Sequence, residues 1–170
     1  MLPPSTWLTF SIGIQDWISY AGLYNLRIDR TIARLLADKR DLWDVRDSST
    51  PLAMVDLLRK VDKGNVLKPE SRAYLMNLMA RCATGKNRIR GLLPWGTRVE
   101  HKTGTLNNYS SDVGYITMPN GRRVAVAMFA RGGTDRPRTI AQAARAIYDG
   151  FTGLFTWPSF GGTSPIAGRN

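Results

Sequence analysis

The stretch Thr97 to Thr105 holds the tripeptide Lys102-Thr103-Gly104, whose residue types suit ligand recognition. A lysine supplies a cation beside a nucleophilic hydroxyl or an anionic substrate. A threonine hydroxyl can bond a carboxylate, and a glycine lets a ligand approach the backbone closely. The tripeptide follows a Leu-Pro-Trp-Gly turn (Leu93 to Gly96) and precedes an apolar, β-branched run from Val113 to Met118, so a strand is its expected setting. Alternation at period 2 sends Lys102 and Thr103 to opposite faces, so at least one of them needs solvent or a polar partner. An edge strand beside a cleft meets that need.

Lys-Thr-Gly is one of the three signatures of penicillin-recognising serine enzymes, beside Ser-x-x-Lys and Ser-Asp-Asn. The runs Arg90 to Gly96, Glu100 to Thr105 and Ser111 to Ile116 resemble the C-terminal half of class A β-lactamases. Arg46-Asp47-Ser48-Ser49-Thr50-Pro51-Leu52-Ala53-Met54 is similar to the segment that follows that family's omega loop. The resemblance spans roughly residues 14–151. It implies an α+β fold of the β-lactamase/transpeptidase type, an antiparallel sheet packed with helices. The fold is expected to be incomplete, without the N-terminal helix and first two strands. It also implies roles: Lys102 and the backbone N–H of Thr105 in catalysis, the latter as half of an oxyanion hole, and Thr103, Gly104 and Thr105 in substrate binding along the strand.

The chain departs from the family pattern at the groups that do the chemistry. None of its serines is followed three positions on by lysine, and Ser-Asp-Asn is absent. Leu26 to Arg30 looks like the entry to the omega loop, yet Ile32 and Leu36 stand where the water-activating glutamate and its asparagine belong. Isoleucine can neither accept a proton nor orient water. The only glutamates, Glu70 and Glu100, lie elsewhere. Arg30 and Asp47 match the pair that closes the neck of that loop, and a bidentate contact between them is expected.

Composition narrows the alternatives. At 170 residues and 43% hydrophobic content the chain can form one compact domain. One cysteine excludes an internal disulfide, and with one histidine beside it neither a metal nor a cofactor is expected. Cys82 falls in a helical pattern with Leu75, Leu78 and Met79 and is read as a buried structural thiol. The net charge of +11 is spread in ones and twos, which argues against a specific nucleic-acid partner and leaves salt-sensitive attraction to polyanions. Residues 1–12 make a poor signal peptide and are too short to span a membrane, so localisation stays open.

Helices are expected over about 14–23, from Thr50-Pro51 to Gly64 with Leu52, Val55, Leu58 and Val61 inward, and from Pro69 to Thr84 with Ala73, Leu75, Met76, Leu78, Met79 and Cys82 as core. From Val99 the period changes to 2. Strands over 98–103, 112–118 and 122–130 form a meander, the last two joined by Pro119-Asn120-Gly121-Arg122, and a helix follows over 135–148. The domain expected is therefore 1–151, with a mostly helical part over 14–95, an omega-like segment at 30–47, and strands plus a C-terminal helix over 98–150. Residues 152–170 read as a flexible tail. The functional expectation is a β-lactamase-like serine hydrolase in an incomplete, inactive form, acting on a β-lactam or peptidoglycan-like molecule. The alternative is a non-catalytic domain of that fold binding a peptide or cell-wall ligand. Self-association is expected through an open sheet edge that leaves Val124, Val126 and Phe129 partly uncovered.

Overall fold

The computed structural model describes residues 13–38 and 44–156. Helix α1 covers 13–20, and Gly22 in the left-handed region (φ 61°) turns the chain after it. Helix α2 is Ile32–Ala37, capped by the Thr31 hydroxyl, which accepts from the Arg34 N–H. Helix α3 is Pro51–Lys63. Its cap is Thr50, whose hydroxyl accepts from the Ala53 N–H at 3.1 Å, with proline in the first turn and Gly64 (φ 76°) closing the other end. Lys60 on α3 donates to the carbonyls of Ala21 and Gly22 at 2.6 and 3.0 Å, tying α1 to it.

The inward face of α3 is Ala53, Leu58 and Val61, whereas Leu52 is 79% exposed. At about 100° per residue Leu52 lies far round the helix from Leu58, and small Ala53 takes the inward position instead. Helix α4, Pro69–Ala80, buries only Met79 fully, with Leu75 and Met76 packed partly; Ala73 and Leu78 are exposed. The helix is apolar on more sides than the one that meets the sheet. Cys82 lies just beyond its end and is half-exposed, with Sγ 3.5 Å from Thr84 Oγ1, so the expected buried thiol is not found.

A short 3-10 helix (Ile89–Leu92) leads into strands β1 (Val99–Leu106), β2 (Tyr109–Thr117) and β3 (Arg123–Arg131), an antiparallel meander in the order β1-β2-β3. Strand β1 is thus at an edge, as expected. The β2–β3 turn has Gly121 at φ 80°, and Met118 N–H donates to the Arg122 carbonyl at 2.8 Å. One face of the sheet (Val99, Ile116, Val126, Met128) packs against Ile140, Ala144 and Tyr148 of α5 and against Ile89. The i, i+4, i+8 spacing of the α5 residues forms a single stripe. The other face meets α3 and α4 through Leu58, Met79 and Tyr115. Buried Tyr115 donates its hydroxyl to the Leu58 carbonyl at 2.6 Å, and burial, with the nearby Asp62 charge, pushes its ionisation up to about 12.

Two expectations need correction here. Val126 is covered by α5 and not partly uncovered, whereas Val124 and Phe129 are half-buried, as expected. Helix α5, Arg136–Thr156, continues through Gly150 and beyond residue 151, so 152–156 belong to the helix and not to a tail. A glycine in a helix costs only about 1 kcal/mol relative to alanine and does not by itself stop it. Residues 157–170 lie outside the described residues.

Candidate functional site

Lys102, Thr103, Gly104 and Thr105 follow one another along β1, and the pleat separates them. Lys102 is exposed, and its ammonium donates to the Thr103 carbonyl at 2.5 Å. Thr103 points the other way and is 9% exposed, with its hydroxyl 2.6 Å from that of Thr84. Thr105 is exposed. A β-carbon on Gly104 would sit 2.5 Å from Ser111 Oγ on the paired strand, a contact that turning the Ser111 hydroxyl relieves, so packing by itself does not demand glycine here.

The structure adds Arg88, which sequence reasoning missed. Its guanidinium is nearly buried at the Gly104–Thr105 end of β1. One nitrogen donates to the carbonyls of Gly104 (2.9 Å) and Ser111 (2.8 Å), and another to Thr105 Oγ1 (2.6 Å). Among 24 lysines and arginines it carried no local signal; only the register that puts Gly104 opposite Ser111 reveals it. Its cation backs the Thr105 hydroxyl, whereas Lys102 leaves the strand on the opposite face, so each side of the exposed end of β1 carries one cation.

Beneath this strand lies a buried polar pair. His101 Nδ1 stands 2.8 Å from Asp112 Oδ1, and Asp112 Oδ2 accepts the N–H of Ile89 at 3.1 Å. Both side chains have no solvent access. Gly114 faces His101 across the sheet, and a β-carbon there would lie 2.0 Å from the Glu100 carbonyl oxygen and 2.7 Å from His101 Cα. Only glycine permits this approach. Glu100 is also buried and takes its bond from Arg98 Nε at 2.6 Å. Asp112 therefore fastens both β1, through His101, and the residue following Arg88, through Ile89.

The neck formed by Arg30 and Asp47 is present in a different geometry from the one expected. Arg30 Nε donates to Asp47 Oδ2 at 2.5 Å, one terminal nitrogen to Asp38 at 3.1 Å, and the other lies 3.7 Å from Asp44. The guanidinium spreads over three carboxylates and is not bidentate to Asp47. Asp47 Oδ1 instead accepts the backbone N–H groups of Asp29 (2.7 Å) and Arg30 (2.9 Å), and Leu26 bridges Ser49 next to it. Arg46, hydrogen-bonded to Asp44, holds that carboxyl down at about 2, and Arg27 lowers Asp29 likewise. Ile32 and Leu36 on α2 are 72% and 53% exposed. Part of the omega-like segment, 39–43, lies outside the described residues. Arg30 and Asp47 make these bonds within the neck, apart from β1.

Comparison with known proteins places these features in context. The sequence pattern of the β-lactamase enzyme family matches residues 10–151. The chain is 31% identical over 145 residues to the extended-spectrum β-lactamase PER-1 of Pseudomonas aeruginosa, covering 79% of this chain and 46% of that protein. It is 36% identical over 130 residues to a β-lactamase of Mycobacterium tuberculosis, covering 69% and 42% respectively. Among solved structures, the TLA-3 extended-spectrum β-lactamase superposes with a TM-score of 0.75 at 30% identity, covering 84% of this chain and 55% of the other. A variant of the last common ancestor of Gram-negative class A β-lactamases gives 0.77 at 28% identity, covering 85% and 56%. The chain spans about half the length of these relatives.

Proposed function

The chain belongs to the class A β-lactamase family, and from that premise we propose that it carries the substrate-facing wall of a serine β-lactam hydrolase without the nucleophile that would make it turn over. The supporting observation is the exposed end of β1, where Lys102 and Thr105 stand clear of the core and Arg88 backs the Thr105 hydroxyl. A β-lactam carboxylate meets the Thr105 hydroxyl there, with the Arg88 cation behind it. The backbone N–H of Thr105 is the proposed donor to the oxyanion that develops on the lactam carbonyl. Thr103 serves the site from behind, through Thr84, rather than by direct contact.

Hydrolysis through an acyl-enzyme requires an activated serine hydroxyl and, for deacylation, a base that activates water. This chain contains no Ser-x-x-Lys, and at the two omega-loop positions it presents exposed Ile32 and Leu36. Those two residues favour the second reading, a domain of this fold that binds a peptide or cell-wall ligand without reaction. The sheet edge on which self-association was expected is the outer edge of β3, where pairing of two copies would set arginine against arginine. The isolated chain is expected to leave a chromogenic cephalosporin unhydrolysed. Turnover above background that is lost in Lys102→Ala would overturn the nucleophile-free reading.

A further inference from the structure

The turn between β2 and β3 brings together an amide and a backbone nitrogen that can react with each other. Asn120 is the only asparagine of the chain that precedes a glycine; every other one with a residue after it is followed by a side chain that crowds the next backbone nitrogen. Asn120 and Gly121 are both exposed, and a β-carbon built on Gly121 would have no atom within 4 Å. No packing therefore holds the turn against a local change of shape.

Its hydrogen bonds fold the side-chain amide onto the backbone. Asn120 Oδ1 accepts the N–H of Arg122 at 3.1 Å. That bond closes a ring containing both Asn120 Cγ and the Gly121 nitrogen, so the side-chain carbon is held near the peptide bond that follows it. It also sets a donor on the oxygen where negative charge collects when a nucleophile adds at Cγ. One contact opposes the reaction: the Gly121 N–H donates to the Met118 carbonyl at 2.9 Å and must leave it before the nitrogen can attack. At an exposed turn that opening is local and needs little free energy. Asp149-Gly150 has the same spacing of carboxyl and nitrogen, but it lies within α5, where Asp149 is paired with Arg145 and the helical backbone turns the nitrogen away.

We propose that Asn120 is a site of spontaneous backbone modification in the folded chain. The Gly121 nitrogen, its proton removed by hydroxide, adds to Asn120 Cγ. The N–Cγ bond forms, the Cγ–Nδ2 bond breaks, and ammonia leaves, giving a cyclic succinimide. Water then opens the ring at either carbonyl, to aspartate or to isoaspartate. The net change converts an amide and water to an acid and ammonia, without oxidation or reduction. The product alters the hairpin in two ways. A carboxylate enters beside Arg122 and Arg123, and isoaspartate adds a backbone atom between Met118 and Arg122. The 2.8 Å bond from the Met118 N–H to the Arg122 carbonyl closes that loop, and the Met118 side chain is buried in the core. This inference concerns the turn alone and does not depend on the chemistry proposed for β1.

The test is incubation of the full chain in mildly alkaline buffer made with heavy-oxygen water, followed by peptide mass mapping with fragmentation to locate the label. A parallel sample is unfolded in urea. Heavy oxygen is expected first at Asn120, as a mixture of aspartate and isoaspartate, in the folded as well as the unfolded chain. The Asn120→Gln variant, whose longer side chain closes the ring far less readily, is expected to lose the label there. Amide exchange at Met118, read by NMR, is expected to be faster in the isoaspartate fraction, and unchanged exchange would overturn the loosening of the hairpin. Label at Asn120 in urea only would show that the bond from Gly121 to Met118 protects the turn, and would overturn the proposal. Label appearing first at another asparagine of the folded chain, or persisting at the turn in Asn120→Gln, would also overturn it.

Discussion

Asp112 on β2 holds His101 on β1 through a 2.8 Å contact with both side chains fully buried, directly beneath the residues that face solvent at Lys102 and Thr105. The same carboxylate accepts the Ile89 N–H, so one side chain fixes β1 and the segment that carries Arg88. Groups buried this way are expensive to leave unpaired, and the loss of one partner costs far more than the pair contributes.

Asp112→Ala is therefore expected to destabilise the chain by about 3 kcal/mol, because it strands both His101 and the Ile89 N–H in the interior. Asp112→Asn retains an acceptor and is expected to cost less. Urea denaturation of the variants checks the order. Equal stabilities for Asp112→Ala and the parent chain would show that the pair does not fasten the strand.

The neck around Arg30 is expected to loosen in acid. Asp44 and Asp29 have folded values below the usual carboxylate value of about 3.9, held there by Arg46 and Arg27. A lowered folded value gives stability that is complete above the unfolded value and is lost as pH falls through the folded one. The window is thus about pH 4 down to about 2, the value for Asp44. Both groups are largely solvent-screened, so the effect is local and modest. The melting temperature, followed from pH 5 to 2, should fall less steeply in Asp44→Asn than in the parent chain, and superimposable profiles would contradict this.

The elements that position the candidate wall were legible in the sequence because their signals are local. Thr50-Pro51 and Gly64 bound α3 as capping chemistry requires, and the change to period 2 at Val99 marks β1 at an edge. The misreadings arose where the outcome depends on distant neighbours. Leu52, Leu78 and Cys82 have the residue types of a core, but nothing in a local window says which side of α3 or α4 the sheet will cover. Arg88 and Asp112 were invisible for a related reason: their partners lie 16 and 11 residues away or more, in positions set by strand register. Arg30 had a family match, yet its division among Asp38, Asp44 and Asp47 depends on the path of the loop.

The central claim, a β-lactam-facing wall without a nucleophile, is tested most directly by titrating the isotope-labelled chain with benzylpenicillin while following backbone and arginine side-chain NMR signals and intact mass. The account predicts shifts clustered at Lys102, Thr103, Gly104, Thr105 and Arg88, weakened in Lys102→Ala, with the protein mass unchanged. Shifts confined to other surfaces, or a stable mass increase by one penicillin, would contradict it.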